Sequence, residues 1–204
     1  MVAANQDIIN LRGLSSTVAV DSGVADGSAN PMPSTSVRCA ILFVDVCDSV
    51  GLYDTLGDRR ALEVIDQCLR EWSRAGASRL GVEIKRLGDG LIIAFPSVGH
   101  ALAAVEDSVA ATAADELDVR AALHFGAILV HGRDAYGQSV NLTARLVQST
   151  AAGRIVLSGA AAARLDACQR RRFAVQRHWR LKGFAPTIVV WPARLTDLAA
   201  RKAA

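Results

Sequence analysis

Several things are missing from this chain. No apolar run approaches the roughly 20 residues that a bilayer-spanning helix needs. The N-terminus has no basic patch followed by an apolar core, so no secretory signal is read. There is no CxxC pair, and none of the four cysteines has a histidine at metal-ligand spacing. Cys39, Cys47, Cys68 and Cys168 therefore read as ordinary thiols of a reducing compartment, and a cytoplasmic location is expected. No GxGxxG and no Walker sequence occurs, which disfavours a dinucleotide-binding or P-loop enzyme. Aromatics are only 5% of residues and the net charge is +3, too small by itself to argue for nucleic acid.

What is present fits a soluble α/β domain. The 204 residues are 51% apolar and rich in alanine, enough for one proper core with residues to spare. Residues 1–37 lack sustained periodicity, and SGVADGSANPMPSTS is small, polar and broken by Pro and Gly. They read as a flexible tail or linker, of a kind that leads from a regulatory domain or partner outside this chain. The main domain is expected over residues 38–195, with a C-terminal tail over 196–204.

Regular structure is predicted from RCAILFVDV onward. That continuous apolar run reads as a buried strand. A helix follows, with Leu62, Ile65, Leu69 and Trp72 at helical spacing. VEIKRL and LIIAFP form two strands joined by GDG, a hairpin signal. HALAAVEDSVAATAA is helical. VRAALHFGAILVHG is a long or bent strand with Gly126 as a candidate bulge. GQSVNLTARLVQST is a third helix and RIVLS a strand. AAAARLDACQRRRF is a further helix, with strands in VQRHWRLKGF and TIVVWPARL. The predicted fold is α+β, a ferredoxin-like βαββαβ core with a mainly antiparallel sheet flanked by helices and extra C-terminal elements.

Three stretches carry polar groups that an apolar strand or helix would not need: FVDV, IKRLGDGLIIAF and DAYGQSVNLTAR. Asp45 ends an apolar strand. Alone it reads as a turn former, but it is also placed to be a metal ligand at the sheet edge, with the Val46 carbonyl as a further oxygen donor. Gly88-Asp89-Gly90 alone reads as a plain turn. A second carboxylate on a neighbouring strand changes that, because Asp45 and Asp89 together can bridge a pair of metal ions. Asp48 reads as a cap, and the amides from Cys47 to Val50 as phosphate contacts. Lys85 alone is a solvent-facing strand lysine and Asp134 alone a loop residue. As a pair they offer a donor and an acceptor that complement adenine N1 and N6 and oppose guanine. Asn141 and Arg145 share one helix face. Their bland reading is a solvated helix. Their functional reading is ribose orientation by Asn141 and stabilisation of a reacting phosphorus by Arg145.

Taken in order, these stretches resemble the catalytic domain of class III nucleotidyl cyclases, from about Arg38 to Leu195. LFVDVCDSVGLYDTLGD resembles the opening of bacterial members. IKRLGDGLIIAF resembles the hairpin with the second metal aspartate and the purine-reading lysine. DAYGQSVNLTARL resembles the stretch that reads adenine and stabilises the transition state. HWRLKGF resembles a later segment whose lysine contacts the triphosphate, and this marks Lys182. The resemblance implies an adenylate cyclase that uses ATP and two Mg²⁺ or Mn²⁺ ions per site. It also implies a head-to-tail homodimer with shared sites. Asp134, where many bacterial relatives carry Thr or Ser, puts bicarbonate regulation in doubt.

The competing readings are a guanylate cyclase, disfavoured by Lys85 and Asp134, and a nucleotide-binding regulatory module that does not turn over. A nucleic-acid-binding role is suggested only by Arg164, Arg170, Arg171, Arg172, Arg177, Arg180 and Lys182. That cluster reads as a solvated helix end with little aromatic interleaving, so no nucleic-acid partner is expected. His100 and His124 read as structural, with no convincing partner.

Overall fold

A computed structural model describes residues 35–112, 117–131, 134–185 and 187–200. The expected tail over 1–37 lies outside the described residues, except that the first strand begins at Thr35.

Strand β1 (Thr35–Val46) lies between β3 (Gly90–Phe95) and β4 (Val119–His131), antiparallel to both. The β2 strand (Val82–Leu87) pairs with β3 at one edge. The path continues from β4 to β6 (Arg154–Ser158), β8 (Ile188–Arg194) and β7 (Arg177–Trp179). Among the described strands, only β4 and β6 run parallel. A short β5 (Asp134–Tyr136) folds back on β4. The strand order β2-β3-β1-β4 is that of the predicted ferredoxin-like plan.

The unbroken apolar run of β1 has a physical reason, which is burial on both faces. Ala40, Leu42, Val44 and Val46 face one core layer, with Ile65, Leu69 and Trp72 of α2 (Asp58–Ser78) and Leu102 and Val105 of α3 (Val98–Ala111). Val37, Cys39, Ile41 and Phe43 face the other, with Leu146 and Val147 of α4 (Gln138–Gln148). The all-buried β3 divides in the same alternating way.

Some expectations need correction. Leu62 is 59% exposed. The buried stripe of α2 runs through Ala61, Ile65, Cys68, Leu69, Trp72 and Gly76, so Ala61 takes the position assigned to Leu62. Gly126 is not a bulge in the β1–β4 ladder, where it pairs in unbroken register with Cys39. A Cβ there would lie 2.2 Å from Ser139 Oγ, so the glycine admits the close approach of α4. The helix expected across 160–173 is two short ones, α5 (Gly159–Ala162) and α6 (Ala167–Arg170), capped by Ser158 and Asp166 respectively. The expected tail over 196–204 begins as helix α7 (Leu195–Ala200), with Leu195 and Leu198 buried in the core.

Candidate active site

Register fixes the first group of polar residues. On β1, Asp45 lies opposite Gly90 of β3 on one side and Arg120 of β4 on the other. Arg120 donates to Asp45 Oδ2 from Nε at 2.8 Å and from Nη2 at 2.6 Å. Asp89 sits in the β2–β3 turn, where Gly88 takes φ 57°. The Val46 amide donates to the Asp89 carbonyl at 2.9 Å, which ties the turn to the end of β1. Ser49, the first residue of α1 (Ser49–Leu56), donates its hydroxyl to Asp89 Oδ2 at 2.6 Å. Burial raises the Asp45 pKa, the Arg120 guanidinium opposes that shift, and the negative charge of Asp89 adds to it. Asp48 caps α1 as expected, accepting from the Gly51 amide at 3.3 Å. The Cys47 amide donates to the Asp118 carbonyl at 2.8 Å, which removes it from the loop amides assigned to phosphate.

A bulge positions the second group. The β2–β3 register shifts between Glu83 and Lys85, so Lys85 lies opposite Ile92, which packs in the layer beneath α4. Directly opposed residues share a sheet face, so the bulge turns Lys85 to the side where β5 lies. Its ammonium meets Asp134 Oδ2 at 2.7 Å. Asp134 also accepts from the Ala135 amide at 2.9 Å. The lysine hydrogen bond holds Asp134 below its ordinary pKa, and the same bond raises that of Lys85.

The third group lines one cleft of about 630 Å³: Gln138, Asn141, Arg145 and Gln148 of α4, with Lys182 and Phe184 from the β7–β8 connection. Arg145 Nη1 donates to Gln148 Oε1 at 2.9 Å. Asn141 and Arg145 are both exposed, as is Lys182. The structure thus brings the predicted residues into three groups: Asp45, Val46 and Asp89; Lys85 and Asp134; Asn141, Arg145 and Lys182. The cleft that holds the third group is not lined by Asp45 or Asp89.

Arg120 and Ser49 escaped sequence reasoning. Arg120 becomes visible only through the β1–β4 register. Ser49 falls within the loop flagged for phosphate, but nothing in its spacing points to Asp89. Most of the basic cluster near the C-terminus is exposed, as a solvated face would be, and three of its arginines are engaged within the fold. Arg172 binds Glu106 and the Leu198 carbonyl, Arg170 binds the Leu165 carbonyl, and Arg164 lies 3.5 Å from the Phe125 ring centre. Both histidines do have partners: His100 Nδ1 lies 2.8 Å from Ser97 Oγ, and His124 Nδ1 lies 2.8 Å from Ser158 Oγ. Among the described residues no helix is long and apolar enough to cross a membrane.

Comparison with known proteins gives the fold. No family model matches the chain. An uncharacterized protein of Mycobacterium tuberculosis is 33% identical over 128 residues, covering 60% of this chain and 33% of that protein. The chain therefore spans about a third of the length of the curated relatives it matches first. A solved Trypanosoma brucei adenylate cyclase in its monomeric state superposes with TM-score 0.66 at 18% identity, over 76% of this chain and 88% of that one. An adenylate/guanylate cyclase/hydrolase from Silicibacter pomeroyi gives 0.66 at 23%, over 79% and 99%. The guanylyl cyclase Cya2 gives 0.64 at 18%, over 77% and 91%. The fold is that of class III adenylate and guanylate cyclase catalytic domains, and the resemblance read from the sequence holds at that level.

Proposed function

We propose that this chain is an adenylate cyclase catalytic domain. It converts ATP to 3′,5′-cyclic AMP and pyrophosphate at sites shared between two copies in a head-to-tail homodimer. The observation that carries the choice of ATP is the 2.7 Å contact between Lys85 and Asp134. An ammonium has three donors and a carboxylate about four acceptor sites, so the pair can stay joined and still read a base. Lys85 donates to adenine N1 and Asp134 accepts from N6. Guanine presents the reverse pattern, a donor at N1 against the ammonium and an acceptor at O6 against the carboxylate, which disfavours it.

The Asp45–Asp89 group fits a hard divalent cation. It offers two carboxylates and the Val46 carbonyl. Among the described residues no set of three or more His, Cys, Asp or Glu gathers as a complete cage. Ions such as Mg²⁺ keep water and substrate phosphate as remaining ligands and suit so sparse a set. Asp45 carries a burial cost made worse by Asp89, which a cation would relieve. Asp45, Asp89 and the Val46 carbonyl would hold two Mg²⁺ or Mn²⁺ ions, which supply Lewis-acid activation of the ribose 3′-hydroxyl and neutralise phosphate oxygens.

The remaining steps belong to the chain. Asn141 orients the ribose, which lines the 3′-oxygen up with the α-phosphorus. The new O3′–Pα bond forms as the bond to the β-phosphate oxygen breaks. The hydroxyl proton passes to water or a substrate phosphate. Arg145 stabilises the charge that develops on the α-phosphoryl oxygens, and Lys182 holds the leaving pyrophosphate. The separation of the carboxylates from the Asn141–Arg145–Lys182 cleft supports a site completed by a second copy.

Guanylate cyclase is the second reading, supported by the comparable fit of the guanylyl cyclase Cya2 to this fold, at TM-score 0.64. Turnover of ATP and GTP with Mn²⁺, with product identification across protein concentration, tests both. Cyclic AMP from ATP, rising with dimer formation, is the expected result. Tight ATP binding without product in a demonstrably dimeric sample would leave only a binding module.

A further inference from the structure

Strand register gathers arginines in a row at one end of the sheet. Asp45 lies opposite Arg120, and the pairing of Ala121 with Ile155 sets Arg154 of β6 beside Arg120. Arg154 in turn lies directly opposite Arg194 of β8. By strand alternation all four share the sheet face that carries Phe43, Ala122, Val156 and Val190. At about 4.8 Å per strand, Arg154 stands about 10 Å and Arg194 about 14 Å from Asp45 along this row. The backbone beneath it is tied together. Gly153 donates its amide to the Val119 carbonyl at 2.9 Å, and its own carbonyl accepts from the Leu195 amide at 3.0 Å. The start of β4, the start of β6 and the end of β8 are thereby held as one platform.

Arg120 has a carboxylate beside it, Asp45. Arg154 and Arg194 do not. Both are exposed, and among the described residues neither makes an ion pair or a side-chain hydrogen bond. Like charges directly opposite on neighbouring strands, with Cβ atoms about 5 Å apart, destabilise a sheet. Charge is commonly placed on strands to protect a sheet edge, but β6 lies inside the sheet, between β4 and β8. Edge protection therefore does not account for Arg154.

We propose that Arg154 and Arg194 form an anion site for pyrophosphate, outside the residues that bind and react with the nucleotide. Each guanidinium presents a planar fork of donors that matches a phosphoryl group, and two forks on a fixed base suit two linked phosphoryl groups. An anion between them also removes the repulsion that the bare pair carries. Naming pyrophosphate rests on the reading that this chain releases it. The site itself rests on the row. Pyrophosphate leaving the carboxylates of Asp45 and Asp89 along this face meets the pair before it reaches bulk water. The pair then acts on release of the product and takes no part in bond making. Because both side chains are exposed, salt screens the site, and it is strongest at low ionic strength.

The test is calorimetric titration of the full chain, free of metal, with sodium pyrophosphate at low, fixed ionic strength. Chemical denaturation with and without pyrophosphate runs beside it. Pyrophosphate is expected to bind the wild-type chain and to stabilise it. Arg154→Gln combined with Arg194→Gln is expected to weaken binding about tenfold. Without pyrophosphate the same double variant is expected to be at least as stable as wild type, because the repulsion is gone. A pair with a merely structural role would lose stability instead, and that result counts against the proposal. Wild-type pyrophosphate affinity in the double variant overturns it. Titration with metal-free ATP separates product from substrate. If the double substitution weakens ATP as much as pyrophosphate, the pair serves substrate capture and its assignment to the product fails. Turnover of ATP by the wild-type chain is assayed separately. Cyclic AMP without pair-dependent pyrophosphate binding defeats this inference alone. Pair-dependent binding without cyclic AMP upholds the anion site and defeats the reading of the chain as a cyclase.

Discussion

The ammonium of Lys85 lies 2.7 Å from the carboxylate of Asp134, 49 positions later in the chain. One sits past a bulge on an edge strand, the other on a short strand that folds back on β4. Exchanging both residues would reverse, as a unit, the hydrogen-bond pattern that the proposed site offers a purine. Replacing Lys85→Glu together with Asp134→Cys is expected to lower kcat/KM for ATP by at least about tenfold and to admit GTP, since each retained purine edge then meets the wrong partner. Turnover of both nucleotides by the double variant measures this. An unchanged ATP preference would show that the pair does not read the base.

Arg145 is exposed in the cleft and bonded only to its neighbour Gln148 among the contacts described. Its proposed partner is charge that appears during the reaction. Arg145→Ala is therefore expected to lower kcat about 10²- to 10³-fold, while KM for ATP changes little. A rise in KM with kcat intact would make Arg145 a binding residue instead.

His124 is buried against Ser158, and burial lowers its pKa from 6.5 to about 4, with the positive charges of Arg164 and Arg38 acting in the same direction. The folded state holds the neutral ring more firmly than the unfolded chain does. The stability this confers is complete above about pH 6.5 and is lost as pH falls through about 4. Its size is on the order of 3 kcal/mol. Denaturant melts between pH 7 and 4 are expected to show a fall that His124→Gln makes shallower. Equal slopes in the two proteins would assign the acid loss to other groups.

Leu69 is fully buried between α2 and the sheet, whereas Leu62 is largely exposed. Leu69→Ala is expected to cost about 2–5 kcal/mol and Leu62→Ala to stay within about 0.5 kcal/mol. Chemical denaturation of the two variants compares them. A larger loss at Leu62 would require a different helix rotation.

The contrast between these two leucines marks what the sequence alone can carry. Apolar runs and turn residues were enough to find β1, the β2–β3 hairpin and the central helices, because those signals are local. The rotation of α2 was missed by one residue, since Ala61 and Leu62 both satisfy a loose apolar spacing. Gly126 looked like a strand irregularity, yet its reason is a neighbouring helix carrying Ser139. α7 was hidden because its burial depends on α3, far away in the chain. In the candidate site, Asp45, Asp89, Lys85, Asp134, Asn141 and Arg145 were legible as residue types in order. The cross-strand flank of Asp45 by Arg120 and Gly90 was not, because register is set by pairing between strands distant in sequence.

The most direct test of a site divided between two chains is complementation. Asp45→Asn and Arg145→Ala chains are each expected to be inactive alone. Mixed in equal amounts and allowed to exchange, they form mixed dimers in which one site has an intact Asp45 from one chain and an intact Arg145 from the other. Cyclic AMP is expected from ATP at up to about one quarter of the wild-type rate. A mixture as inactive as its components, under conditions where the wild-type chain turns over and subunits exchange, would contradict it.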